Sequence, residues 1–176
     1  MPTSPRRSGG WTVRRRNWMP DYGFRSLVAA DLPMLAGWLA SPVVAAWWPG
    51  AQHQLGLVTE DMENPAMTQR IVLLGDQPIA YVQHFRAQEW QAPHFADLPP
   101  DAIAMDVLAA PEGLGHGGGW IRALGDLLLR QATAVAVDPA PTNLRAIRAF
   151  ETAGFAGDQV RLDAEGHPAR VMTRLR

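Results

Sequence analysis

Apolar positions along the chain fall into two rhythms that alternate. Leu32, Leu35, Trp38 and Leu39 recur at helical spacing behind Ala30-Asp31-Leu32-Pro33, where Ala30 or Asp31 takes the cap and Pro33 the first turn. Ser41-Pro42 restarts the pattern as a second short helix that ends at Trp47-Trp48-Pro49-Gly50. Ile121, Leu124 and Leu128 stripe a helix predicted over 115–131, and another over 141–153 stops at Gly154. The intervening runs read as strands. They are 24–28, then 71–74 and 79–85 joined by the turn residues Gly75-Asp76-Gln77-Pro78, and 102–110, apolar enough to be buried on both faces. Residues 134–137 follow, with two more strands around Glu165-Gly166 in the tail. The order β-α-α-β-β-β-α-β-α-β-β, without repeats, predicts a mixed α/β domain.

At 176 residues the chain fits one domain. That domain is placed at 21–176. Residues 1–20 mix proline, serine, glycine and arginine with Trp11 and Trp18, and read as a flexible, arginine-rich arm. A net charge of -1 gives no general field for nucleic acid or a membrane surface, and neither is expected as a partner. The charge is unevenly spread, however: residues 17–143 hold 13 acids against 5 arginines, an acidic body that suits a cationic substrate. The absence of cysteine excludes a disulfide framework, a thiol nucleophile and a thiolate zinc site. Five scattered histidines include no His-x-x-x-His pair, so no metal is expected. Arg6-Arg7 is followed by no apolar run of signal length, and the expected location is cytoplasmic. A monomer or a homodimer is expected.

Two features carry chemistry. Leu114-Gly115-His116-Gly117-Gly118-Gly119 lies between the 102–110 strand and a helix, where free N–H groups and the helix dipole favour phosphate. Neither a dinucleotide fingerprint nor the Lys-Ser or Lys-Thr pair of an ATP loop accompanies it. Asp106 is the sole ionisable side chain in its strand. Burying it calls for a functional role, a tight polar partner or a nearby loop to cap.

With these features the chain resembles the GNAT superfamily of acetyl-CoA-dependent N-acetyltransferases. The superfamily's loop pattern (Arg or Gln, two residues, Gly, one residue, Gly or Ala) falls on Leu114 to Gly119, with Gly117 and Gly119 matching and Leu114 departing. More specifically, the chain is similar to aminoglycoside 6'-N-acetyltransferases over about residues 22–172. Phe24-Arg25 through Asp31-Leu32, Met34-Leu35, Trp38-Leu39, Trp47-Trp48 before Gly50, Pro78-Ile79-Ala80-Tyr81 and, above all, Asp138 to Phe155 carry the likeness.

The resemblance implies a GNAT fold, a mixed and mostly antiparallel sheet flanked by helices and splayed by a bulge at its fourth strand. It implies acetyl-CoA as co-substrate, held by Leu114, Gly115, His116, Gly117, Gly118, Gly119 and Trp120, by backbone N–H groups near Val107 or Leu108, and by Asn143, which equally suits a helix cap. Asp106 becomes the candidate base or the anchor of the substrate ammonium. Asp138 and Glu165 fall on acidic positions that hold ammonium groups, and Trp48 on an aromatic that packs against sugar rings. Each also has a plain structural use, as turn former or core. Trp90 and Asp97 fall where a loop can rim the same pocket.

The chain departs from the family pattern at Phe150, where relatives place a tyrosine near the CoA sulfur, and at Ala46, where they carry a glutamate. Relatives that acylate hydroxylated lysine or ornithine for siderophores place a histidine in the central strand, where this chain has Asp106. The expected function is therefore acetylation of a primary amine on a cationic small molecule, an aminoglycoside first. Siderophore side-chain acylation and non-catalytic acyl-CoA binding are the alternatives.

Overall fold

Seven strands join in a single sheet in the computed structural model, which describes residues 20–90 and 92–176. The predicted arm, Pro20 apart, lies outside the described residues. Strands β1 (Tyr22–Ser26), β2 (Met67–Leu74), β3 (Gln77–Arg86), β4 (Ile103–Ala109), β5 (Ala134–Val137), β6 (Ala156–Leu162) and β7 (Pro168–Leu175) are ordered β1-β2-β3-β4-β5-β7-β6. All neighbours are antiparallel except β4 and β5, whose parallel pairing requires the crossover helix between them.

Among the described residues, five α-helices cover the two faces: α1 (Leu32–Ala40), α2 (Pro42–Ala45), α3 (Ala51–Asp61), α4 (Gly117–Leu128) and α5 (Leu144–Thr152). Helix α3 is a correction to the sequence reading, which ends the helical region at Gly50. Among its residues only Val58 is buried, with Leu55 packed partly against the core. Strand β1 also starts at Tyr22 rather than Phe24, because Tyr22 pairs with Leu74 and Ser26 with Arg70. Strand alternation sends apolar side chains to opposite faces of the sheet. Ile71, Tyr81 and Leu108 face α1 to α3, whereas Val72, Val82 and Met105 face α4 and α5.

The splay sits at β4, but its cause differs from the expected one. Strand β3 keeps an unbroken register with β4 from Ala80↔Ala109 to Arg86↔Ile103. The irregularity falls between β2 and β3 instead, where Val72 pairs with Ala80 and Leu73 with Pro78, leaving Ile79 over. Strands β4 and β5 pair only at Ile103↔Val135 and Ala104↔Ala136. Beyond these pairs β5 stops at Val137, and Pro139 has no N–H with which to continue a ladder. A gap opens alongside the second half of β4. That half is not buried on both faces: Asp106, Val107 and Ala109 are half-buried.

Candidate active site

The direction of the β4 peptide groups decides what the gap can do. At one end of the β3–β4 ladder the Ala110 N–H donates to Ile79 O, and at the other the Ala87 N–H donates to Ala102 O. Antiparallel pairs alternate, so Ala104, Asp106 and Leu108 bond to β3, and Met105, Val107 and Ala109 turn their peptide groups the other way. The Val107 N–H therefore points into the gap left by β5, while that of Leu108 is engaged with β3.

Two adjoining cavities of about 370 Å³ and 210 Å³ occupy this region, and Trp47, Trp48, Val107, Asn143, Ala146 and Phe150 line both. Leu108, Leu114, Gly115, Gly117, Gly118, Gly119 and Trp120 border the larger; Asp106 and Asp138 border the smaller.

The glycine loop proves to be two devices. Gly115 has φ 90°, a left-handed turn that L side chains rarely adopt. Gly118 and Gly119 instead lie in the first turn of α4 and permit close approach. A Cβ on Gly118 would stand 2.5 Å from Thr152 Cγ2 of α5, and one on Gly119 2.6 Å from the Tyr22 hydroxyl. Among the described residues, no acceptor takes the N–H groups of Gly115, Gly117 or Gly118. Arg145 and Arg148, one turn apart on α5, border the same cavity. The buried indole N–H of Trp120, on its wall, has no partner either. Free donors, a helix N-terminus and two guanidinium groups suit a phosphorylated ligand. The His116 ring, by contrast, lines neither cavity. Its carbonyl accepts the N–H groups of Gly119 and Trp120, and its Nδ1 stands 3.4 Å from the Tyr22 hydroxyl.

Asp106, which borders the smaller cavity, meets Gln83 directly across the sheet. Gln83 Nε2 donates to Asp106 Oδ2 at 2.9 Å, and the Tyr81 hydroxyl donates to Gln83 Oε1 at 2.8 Å. Asp106 keeps some surface open to the cleft, yet protein rings its carboxyl. Desolvation, and secondarily the charge of Asp138, push its pKa up to about 7, against the opposing pull of Gln83 and His94. Asp138, just past β5, pairs through Oδ2 with Nε2 of the buried His94 at 2.8 Å.

Asn143 caps α5, its Oδ1 accepting the Ala146 N–H at 3.2 Å, and still borders both cavities. Phe150 is buried and packs edge-on against Phe155. Glu165 lies exposed in the β6–β7 turn and lines neither cavity. Trp90 and Asp97 also lie outside both: Trp90 packs on Phe85 and Asp97 pairs with Arg161. Sequence reading missed Gln83, His94, Arg145 and Arg148 as site residues. Only the arginines carried a signal, a three-residue spacing inside the segment from Asp138 to Phe155.

Comparison with known proteins agrees with this geometry. The acetyltransferase (GNAT) domain family matches residues 28–161. An aminoglycoside N(6')-acetyltransferase type 1 of Klebsiella pneumoniae is 32% identical over 169 residues, covering 86% of this chain and 82% of the relative. The solved structure of AAC(6')-Ib with paromomycin and acetyl-CoA has a TM-score of 0.77 at 32% identity, covering 88% of this chain and 93% of that one. The structure of the same enzyme with coenzyme A and kanamycin also has a TM-score of 0.77, at 30% identity and with 89% and 95% covered. The match of the family across the glycine loop, the splayed strand and the capped helix shows that the chain belongs to the GNAT acetyltransferases.

Proposed function

We propose that this protein transfers an acetyl group from acetyl-CoA to a primary amine of an aminoglycoside, at the 6' position. The observation that carries the reading is the junction of the two cavities. A cavity bordered by free N–H donors and two arginines meets, at Val107 and Phe150, one bordered by the carboxylates Asp106 and Asp138. Relatives over most of the chain's length are aminoglycoside acetyltransferases, including one solved with acetyl-CoA and paromomycin.

Acetyl-CoA supplies the acyl group as a thioester when bound. Gly115, Gly117 and Gly118 offer N–H groups to its phosphates, with Arg145 and Arg148 beside them. The Val107 N–H, which faces the gap, would offer a hydrogen bond to the thioester carbonyl oxygen that gains charge as the amine attacks. An attacking amine must be unprotonated, and Asp106, with its pKa near 7, is poised to receive the proton. Asp138 draws a neighbouring ammonium and so orients the sugar, while Trp47 and Trp48 offer apolar faces to the ring. Phe150 has no proton to give, so the departing thiolate takes one from water. Its nearest side-chain analogue has a pKa of about 8.5, which makes it an acceptable leaving group.

Incubation with acetyl-CoA and kanamycin, followed by mass and NMR analysis of the drug, tests the reading. A single acetyl group on the 6' nitrogen is expected. Acetylation of another nitrogen would refute the regiochemistry, and acylation only of hydroxylated amines would refute the substrate class.

A further inference from the structure

Asp106 has two carboxylate oxygens and, among the described residues, only one of them is held. Gln83 Nε2 donates to Oδ2 at 2.9 Å, and no donor meets Oδ1. The amide that holds Oδ2 is itself held. Gln83 stands opposite Asp106 in the β3–β4 register, and Tyr81, two residues earlier on β3, shares that face. The Tyr81 ring is fully buried in the same core as Ile71 and Leu108, so packing fixes where its hydroxyl stands. That hydroxyl donates to Gln83 Oε1 at 2.8 Å, which leaves Nε2 as the end that Asp106 meets. A turned-over amide would lay its oxygen against the carboxylate and strip the Tyr81 proton of its acceptor.

We infer, on the reading of Asp106 as base, that Gln83 is a positioning residue that leaves Oδ1 of Asp106 to the substrate amine, and that Tyr81 locks the Gln83 amide in the one orientation that serves the ionised carboxylate. Neither residue borders a cavity, so both act through Asp106. The lock serves the base in two ways. It holds the plane of a carboxyl that stands beside a gap in the sheet and could otherwise rotate. It also supplies a donor that favours the charged form, which offsets part of the cost of ionising a carboxyl ringed by protein. During transfer the amine N–H bond breaks as the Oδ1–H bond forms, while Gln83 and Tyr81 keep their protons. The other titratable groups that act on Asp106 are Asp138 at the end of β5 and His94 in the β3–β4 loop; Asp61 of α3 acts on Tyr81.

The test titrates Asp106 by the NMR signal of its carboxyl carbon, assigned by its loss in Asp106→Asn, alongside the pH profile of kcat/KM with kanamycin. Wild type, Gln83→Met, Tyr81→Phe and the double variant are compared. Gln83→Met removes the donor and is expected to raise the Asp106 midpoint and the acid limb together by about one pH unit, and to lower the plateau kcat about tenfold. Tyr81→Phe frees the amide to turn over and accept from the protonated carboxyl, and is expected to raise both midpoints by about half a pH unit. In the Gln83→Met background the same change is expected to do nothing, because no amide remains to be locked. Midpoints that stay in place in either single variant, a wild-type plateau kcat in Gln83→Met, or a Tyr81→Phe shift that persists without Gln83 overturns the inference. Should Tyr81→Phe fail to fold, nuclear Overhauser contacts of the Gln83 Nε2 protons in the wild type decide. Contact with the Asp106 β-protons is expected on both sides of the midpoint, and a switch to the Tyr81 ring protons when the carboxyl is protonated overturns the lock. Full turnover by Asp106→Asn overturns it too, since the carboxyl held in place is then not the base. A wild type that acetylates no aminoglycoside refutes the proposed function instead, and the carboxyl titrations alone then decide the lock.

Discussion

His94 Nε2 stands 2.8 Å from Asp138 Oδ2, and this contact ties the loop between β3 and β4 to the end of β5. Asp138 is thereby held at the wall of the smaller cavity. His94→Ala frees the carboxylate to rotate and unties the loop. It is expected to raise the KM for the amine about tenfold, corresponding to about 1.4 kcal/mol, with kcat little changed. His94→Gln, which keeps a donor, is expected to recover most of the loss. Steady-state kinetics with varied aminoglycoside at saturating acetyl-CoA check both.

The raised pKa of Asp106 has a consequence for stability. Its folded-state value of about 7 lies above the ordinary 3.8, so the folded chain holds a proton that the unfolded chain has lost. Ionising Asp106 therefore costs stability as pH rises from about 4 to 7, and the full cost is in place above that range. Asp106→Asn removes the cost. It is expected to stabilise the protein at pH 8 by about 1–2 kcal/mol, less than the about 1.4 kcal/mol per pKa unit would give in full, because a charged hydrogen bond is lost too. No gain is expected near pH 4. Urea unfolding at the two pH values measures the difference.

His84 gives the opposite slope. Desolvation, followed by the charge of Arg70, lowers its pKa from 6.5 to about 4, and its Nε2 is buried without a partner. The unfolded chain takes up a proton that the folded chain refuses, so stability falls as pH drops from 6.5 toward 4. His84→Leu is expected to remove this loss, on the order of 2–3 kcal/mol at pH 4. Thermal unfolding should show a flatter dependence of Tm on pH for the variant.

Gly118→Ala tests whether the glycines of α4 serve packing as well as ligand. The added Cβ would fall 2.5 Å from Thr152 Cγ2 and 2.8 Å from Thr152 Cβ, forcing α4 and α5 apart. A loss of about 1–3 kcal/mol is expected, with a raised KM for acetyl-CoA. Adding Thr152→Ala removes the Cγ2 clash but not the Cβ clash, so only partial recovery is expected in denaturant unfolding.

What the sequence disclosed followed from local physics. The run 134–137 matches β5 because four apolar residues between turn signals have few other uses, and Asn143 is legible as a cap because its residue type suits the start of a helical run that stops at Gly154. Asp106 stood out as a lone charge in an apolar strand. Helix α3 was missed because Leu55, Val58 and Met62 make too thin a stripe in a polar segment. Gln83 and His94 left no local trace. Their partners lie 23 and 44 residues away, and only the β3–β4 register and the loop path bring them together. The direction of the Val107 N–H likewise depends on which neighbouring strand continues and which one stops.

Acetyl transfer is proposed to occur at the splay of β4 and β5 with Asp106 as base. Steady-state release of CoA thiol from acetyl-CoA in the presence of kanamycin, compared between wild type and Asp106→Asn, tests it most directly. Turnover by the wild type is predicted, with a loss of about 100-fold or more in kcat for the variant and unchanged CoA binding. Retained CoA binding without turnover on any amine, or full turnover by Asp106→Asn, would contradict it.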